Sequence, residues 1–272
     1  MQDRFIILLF CRIWMDWFTW LLRIGVTTYS ILKPKKISIP LQKAIAITIV
    51  LFIPLSLKAN SSDSIPITEV ETKPISRHIP VIAGIAAVSF LVDQPVNSHF
   101  ETNRSSFFNS ASKITDLAGD KYLIIPASVL TYGVAGYIIR DEKLTNTSLN
   151  SIQALATTAI STEIVKQLAG RSRPYTERGA HHYSPFPMKN DDYKSMPSGH
   201  AALAFAAFTP FAENYSKWIY LIPASVAAGR VYQNEHWFSD VVVGGAIGFI
   251  SGYLFTHYPN IQIIPNGIVV NF

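Results

Sequence analysis

Pro197–Phe208 reads PSGHAALAFAAF, and the rest of the chain is best read outward from it. Ser198 suits a helix N-cap, Gly199 lets a ligand approach the backbone, and His200 falls in the first turn of an alanine-rich apolar helix. Unpaired N–H groups and the helix dipole at such an end favour an anion. A capped helix with an incidental histidine would look the same, so this stretch takes its meaning from its neighbours.

Two neighbouring segments carry rare polar types beside apolar helices. Upstream, Lys166-Gln-Leu-Ala-Gly-Arg-Ser-Arg173-Pro174 sets Lys166 and Arg173 two helical turns apart, ahead of a helix-stopping proline. Downstream, Arg230-Val-Tyr-Gln-Asn-Glu-His236-Trp-Phe-Ser-Asp240 sets His236 and Asp240 four apart at a helix start. That spacing lets the carboxylate reach one imidazole nitrogen, fix the tautomer and leave the other nitrogen free to attack. Together the segments offer Lys166, Arg173 and Arg230 as cations, two histidines, one carboxylate, the Ser198 hydroxyl and the Gly199 N–H. Phosphoryl transfer needs this set: fixed positive charge on the non-bridging oxygens, a nucleophile and an acid for the leaving group. The sequence offers no obvious metal-ligand cluster. A lone Cys11 excludes an internal disulfide framework and a cysteine-rich zinc site.

Helical periodicity dominates the body, with Pro and Gly in the gaps. Helices are expected at about 81–92, 105–118, 121–139, 147–168, 199–213, 216–228 and 237–257. Ile261–Ile264, Pro265-Asn266-Gly267 and Ile268–Asn271 form a hairpin signal. The expected fold is therefore all-α, a bundle of about six to seven helices with a short C-terminal β-hairpin. Gly244, Gly248 and Gly252 recur every four residues and give one helix a small face for close packing. Tyr122–Ile139 and Val241–Phe255 carry no charge, yet their lengths suit a soluble bundle as well as a membrane one.

Hydrophobic residues make up 49% of the 272 positions and charged ones 15%, which excludes disorder and a charged coiled coil. The net charge of +5 lies entirely in residues 1–43, which hold seven basic and two acidic side chains. The neutral remainder implies no basic groove and no nucleic-acid partner. Ala44–Leu57 follows as fourteen uncharged residues, with Ala59 behind it. It reads as a signal-like or anchor segment, and the preceding charge belongs on the cytoplasmic side. Residues 5–32 carry Trp14, Trp17 and Trp20, with Arg12, Asp16 and Arg23 on one helical face. This suits a helix lying in the membrane interface, although upstream sequence that is not translated would read alike. The expected organisation is a basic, aromatic extension (1–43), an apolar segment (44–59), a polar linker (60–79), a helical domain (80–258) and a hairpin tail (259–272).

The three segments resemble the signature of the type 2 phosphatidic acid phosphatase superfamily, which includes bacterial acid phosphatases and vanadium haloperoxidases. Its pattern, K-x6-R-P, P-S-G-H and S-R-x5-H-x3-D, is met by Lys166–Pro174, Pro197–His200 and Arg230–Asp240, with Gly229 in place of the usual Ser. The resemblance implies a metal-independent phosphatase without cofactors, in which His236 attacks phosphorus and forms a phosphohistidine. Asp240 supports His236, and His200 protonates the leaving oxygen and then activates water. Lys166, Arg173, Ser198, Gly199 and Arg230 bind the phosphate. The implied substrate is a phosphomonoester or pyrophosphate, lipid-linked in the favoured reading. The enzyme would then be membrane-associated in a bacterial cell envelope, with its site on the extracytoplasmic side. A soluble periplasmic acid phosphatase and a vanadium-dependent haloperoxidase are the alternatives. Tyr175–Met196, with His181, His182, Asp191 and Asp192, is expected to form a loop over the pocket mouth.

Overall fold

A computed structural model describes residues 75–258, together with the backbone of 261–264 and 267–270. The expected extension (1–43), the apolar segment (44–59) and residues 60–74 of the linker lie outside the described residues. The described part is helical: α1 (Ile79–Leu91), α2 (Asp93–Thr102), α3 (Ser106–Leu117), α4 (Lys121–Gly133), α5 (Glu142–Ala169), α6 (Gly199–Asn214), α7 (Leu221–Tyr232) and α8 (Phe238–His257). α4 runs on through a π-helical stretch to Ile139. After α8, Ile261–Ile264 (β1) and Gly267–Val270 (β2) are antiparallel, with Ile261 opposite Val270.

Local chemistry sets the helix ends. Side chains of Ser105, Asp120 and Asp141 cap α3, α4 and α5 by accepting backbone N–H groups. Gly170 stops α5 in the left-handed region at φ 57, and its N–H returns to the Lys166 carbonyl. A Cβ at Gly170 would also lie 1.8 Å from the Ser184 carbonyl oxygen, so the close pass of the following loop independently demands glycine.

α8, α6 and α5 pack together at the centre. Added Cβ atoms on Gly244, Gly248 and Gly252 would strike Ser198 O at 2.5 Å, Ala202 O at 2.1 Å and Thr209 Cβ at 2.6 Å. The small-residue face thus seats α8 directly on the backbone of α6. Ile124, Leu155, Leu203 and Phe255 fill the core beside this seam.

Two helix expectations need correction. Asp93–Thr102 is helical although its sequence is mostly polar, with Val96 and Phe100 one turn apart packing inward, and it leaves α1 at a 60° bend. Pro95 sits in its first turn, where a missing N–H is harmless. The helix expected at 216–228 instead starts as a 3-10 turn, Lys217–Tyr220, and then runs to Tyr232, so Arg230 lies in the last turn of α7.

The exterior answers a question that segment length leaves open. α5 buries Thr147, Ser148, Ser151, Ala154, Leu155, Thr158 and Thr162, and exposes Ile160, Ile164 and Leu168. A helix with its hydroxyls inward and its isoleucines outward is arranged for a lipid surround rather than water. Lys121–Ile139 and Phe238–His257 are each long and apolar enough to cross a membrane, and the bent α1–α2 pair would make a third span. The protein is membrane-associated on this evidence.

Candidate active site

The site forms where the end of α5, the start of α6 and the start of α8 meet. Ser198 accepts the Ala201 N–H as N-cap of α6 and donates its own N–H to the Asp240 carbonyl at 2.9 Å. Gly199 lies beside the Lys166 stem, with an added Cβ 3.9 Å from Lys166 Cε. Lys166 donates from Nζ to the carbonyls of Lys194 and Pro197, both at 2.7 Å. All three sequence segments therefore converge.

His236 is buried in the turn between α7 and α8, with Nδ1 2.7 Å from the Ser195 carbonyl oxygen. A carbonyl can only accept, so Nδ1 carries the proton and Nε2 keeps its lone pair. Asp240 Oδ2 stands 3.8 Å from Nδ1, outside hydrogen-bond range. The expected tautomer lock by Asp240 is thus corrected: the Ser195 carbonyl sets the tautomer, and Asp240 acts from one shell further back. Asp240 itself accepts from Arg171 Nη1 at 2.7 Å, from the Ser195 hydroxyl and from the Trp237 N–H at 2.9 Å. Burial, and then the charges of Arg173, Lys166 and Arg230, hold His236 well below the usual imidazole range, so it is neutral at ordinary pH.

The cations face the same place. Arg173 donates to the Asp191 carbonyl at 2.9 Å and to Glu235 Oε2 at 2.8 Å. Arg230 Nη1 meets both oxygens of Asp116 at 3.1 Å, and its Nη2 lies 3.4 Å from Glu235 Oε2. Buried Arg230 Nε and Gln233 Nε2 have no hydrogen-bond partner. Donors left open on and beside Arg230 suit an arriving oxyanion. Burial, followed by the Arg230 charge, brings the His200 imidazole down to about 4, against the opposing pull of Asp116 and Asp120.

Several members escaped the sequence reading. Arg171, Ser195, Asp116 and Glu235 contact site residues directly, and Asp93 and Ser239 contact Arg171 behind them. Arg171 lay in plain view within the first segment, and Ser195 lies two residues before Pro197. Only their partners reveal their roles. The loop expected over the pocket mouth is strapped to the end of α5, through Ser184 N–H to Gly170 O and Ser172 N–H to His182 O. Gly229, where the resemblance expects Ser, faces α3; a Cβ there would come within 2.6 Å of Thr115 Oγ1.

Known proteins resemble this arrangement. Residues 148–263 match the model of the PAP2 superfamily. A lipid A 1-phosphatase of Porphyromonas gingivalis is 40% identical over 67 residues, covering 22% of this chain. That match spans only 15% of the relative's own length. The crystal structure of a transmembrane PAP2-type phosphatidylglycerolphosphate phosphatase from Bacillus subtilis superposes with a TM-score of 0.51 at 21% identity, covering 69% of this chain and 96% of that one. It establishes likeness of fold. LpxE of Aquifex aeolicus gives a TM-score of 0.47 at 20% identity, over 60% of this chain and 93% of that one.

Proposed function

We propose that this chain, whose residues 148–263 are a PAP2 superfamily segment, is a membrane phosphatase acting on phosphorylated lipids through a phosphohistidine, with no metal. The observation that carries the reading is His236: a buried neutral imidazole, protonated on Nδ1, with Nε2 free and three cations acting on it.

The chemistry then follows from the geometry. Lys166, Arg173 and Arg230, with the Ser198 and Gly199 end of α6, hold the non-bridging oxygens. Nε2 of His236 attacks phosphorus in line, and the P–O bond to the leaving group breaks as the N–P bond forms. The leaving oxygen takes its proton from His200. With its imidazole near 4 in the free protein, His200 gains that proton only when the phosphate dianion arrives beside it. Neutral again, His200 takes a proton from water, whose oxygen displaces His236 and releases phosphate. As His236 turns cationic, Asp240 opposes its charge.

The exposed isoleucine and leucine face of α5 supports a lipid substrate over a small soluble ester. The name of the Porphyromonas gingivalis relative supports a lipid-linked phosphate in particular. The basic run in residues 1–43 supports an extracytoplasmic site, with 44–59 as signal or anchor, 60–79 as linker and 80–258 as the catalytic domain. The antiparallel tail belongs to the same reading as a hairpin, with β1 and β2 as its strands.

The test is phosphate release from a panel of lipid and soluble phosphate esters, with EDTA present, for wild type beside His236→Ala. We expect release that favours lipids and disappears in the variant. Activity above about 10% of wild type in His236→Ala would remove the nucleophile assignment. Release that requires an added metal would remove metal independence.

A further inference from the structure

We propose that Asp93 is a positioning residue for the His236 nucleophile, acting through Arg171 and Asp240; the inference rests on the phosphatase reading above. Asp93 opens α2 and lies outside residues 148–263, the span matched by the family model. Its carboxylate is nonetheless buried against the rear of the site.

The connection is continuous. Arg171 is fully buried and reaches Asp93 Oδ2 through Nη2 at 2.6 Å and Asp240 Oδ1 through Nη1 at 2.7 Å. Its remaining donors go to the Ala180 carbonyl and to Ser239 Oγ. Ser239 donates its hydroxyl to Asp93 Oδ2 at 2.6 Å and its backbone N–H to Asp93 Oδ1 at 2.7 Å. Asp240 takes the Ser195 hydroxyl, and the Ser195 carbonyl takes His236 Nδ1–H. Five residues thus run from α2 to the nucleophile with every link a hydrogen bond.

Charge gives the network its direction. One guanidinium stands between two carboxylates, so the buried group holds a surplus of one negative charge. Asp93 engages one side of Arg171, which leaves Asp240 only partly neutralised 3.8 Å from the imidazole. That surplus stabilises His236 as Nε2 bonds phosphorus and the ring becomes cationic. With Asp93 uncharged, Arg171 and Asp240 cancel each other and the surplus vanishes. A purely structural clamp would make a different prediction, because it needs only the hydrogen bonds.

The experiment compares wild type, Asp93→Asn, Asp93→Glu and the double variant Asp93→Asn/Arg171→Gln, all checked for folding by size exclusion and thermal melting. Asp93→Asn is expected to lower kcat by about 10- to 100-fold with KM within about threefold, since the charge acts on the transition state. Asp93→Glu keeps the charge and should stay closer to wild type. The double variant loses more hydrogen bonds but restores the surplus on Asp240, and should recover kcat relative to Asp93→Asn. Should the double variant not fold, the contrast between Glu and Asn at 93 carries the test. A readout independent of turnover is the binding of orthovanadate, which takes a bond from an imidazole nitrogen, beside that of inorganic phosphate. Asp93→Asn should weaken vanadate by about tenfold more than phosphate. Wild-type kcat in Asp93→Asn, or a double variant worse than the single one, would overturn the proposal. A wild type that neither hydrolyses any ester nor binds vanadate would instead overturn the phosphatase reading on which it rests.

Discussion

The rear and the front of the site are built on opposite principles. Behind His236, Asp93, Arg171 and Asp240 have no side-chain exposure, and the Arg171 guanidinium is saturated with acceptors. In front, Arg173 is 15% exposed, Glu235 is 36% exposed, and Arg230 Nε has no partner at all. A saturated buried network holds one geometry, because any displaced member leaves an unpaired charge in a medium that solvates it poorly. An unsaturated, partly wet cluster of cations is completed by whatever anion enters it. The rear fixes the nucleophile in advance, and the front waits for the phosphate.

Breaking the rear should have the largest effect. Arg171→Met strands two carboxylates in a dry site, and we expect a loss of about 3–5 kcal/mol of stability, read as a fall in thermal midpoint and in the yield of folded protein. A midpoint within a few degrees of wild type would mean that the rear is less saturated than its hydrogen bonds indicate.

Acid should act next, through His200. Its imidazole lies near 4 in the folded protein against 6.5 ordinarily, so the unfolded chain binds more protons between these values. The stabilising contribution of neutral His200 is therefore complete above about pH 6.5 and declines as pH falls toward 4, by about 2–3 kcal/mol after allowance for partial exposure. Thermal melts over that range, wild type beside His200→Gln, isolate the term. Parallel curves would place His200 in a wetter setting than its burial indicates.

The smallest change should come at the front. Glu235 Oε2 lies between Arg173 and Arg230 and competes with phosphate for them. Glu235→Gln removes the competing charge, and we expect KM and the inhibition constant of inorganic phosphate to fall about three- to tenfold, with kcat nearly unchanged. A rise in KM would show that Glu235 organises the arginines rather than occupying their ligand's place.

How much of this was legible follows from the range of each interaction. The cap at Ser198 and the glycine spacing on α8 are local features, and sequence spacing alone located them, whereas the stop was read at Pro174 and the helix ends earlier, at Gly170. The same holds for Lys166, Arg173, His200, Arg230, His236 and Asp240, whose types and intervals stand out against apolar helices. α2 was missed because Val96 and Phe100, a single i,i+4 pair in a mostly polar stretch, are too short a pattern to mark a helix; its bent join to α1 and its Asp93 contacts are tertiary facts.

By itself, then, the sequence determined a helical body, three phosphate-suited segments in order and the positive run ahead of an apolar stretch. Each of these is set by periodicity, capping or charge within a few residues. Only the tertiary structure decided that the Ser195 carbonyl holds the His236 tautomer, and that α5 turns its hydroxyls inward and its isoleucines outward. It alone joined Asp93 to Asp240 through Arg171, across 147 residues of chain. The physical reason is that spacing along a helix fixes which side chains share a face, whereas packing between helices fixes which charges must balance.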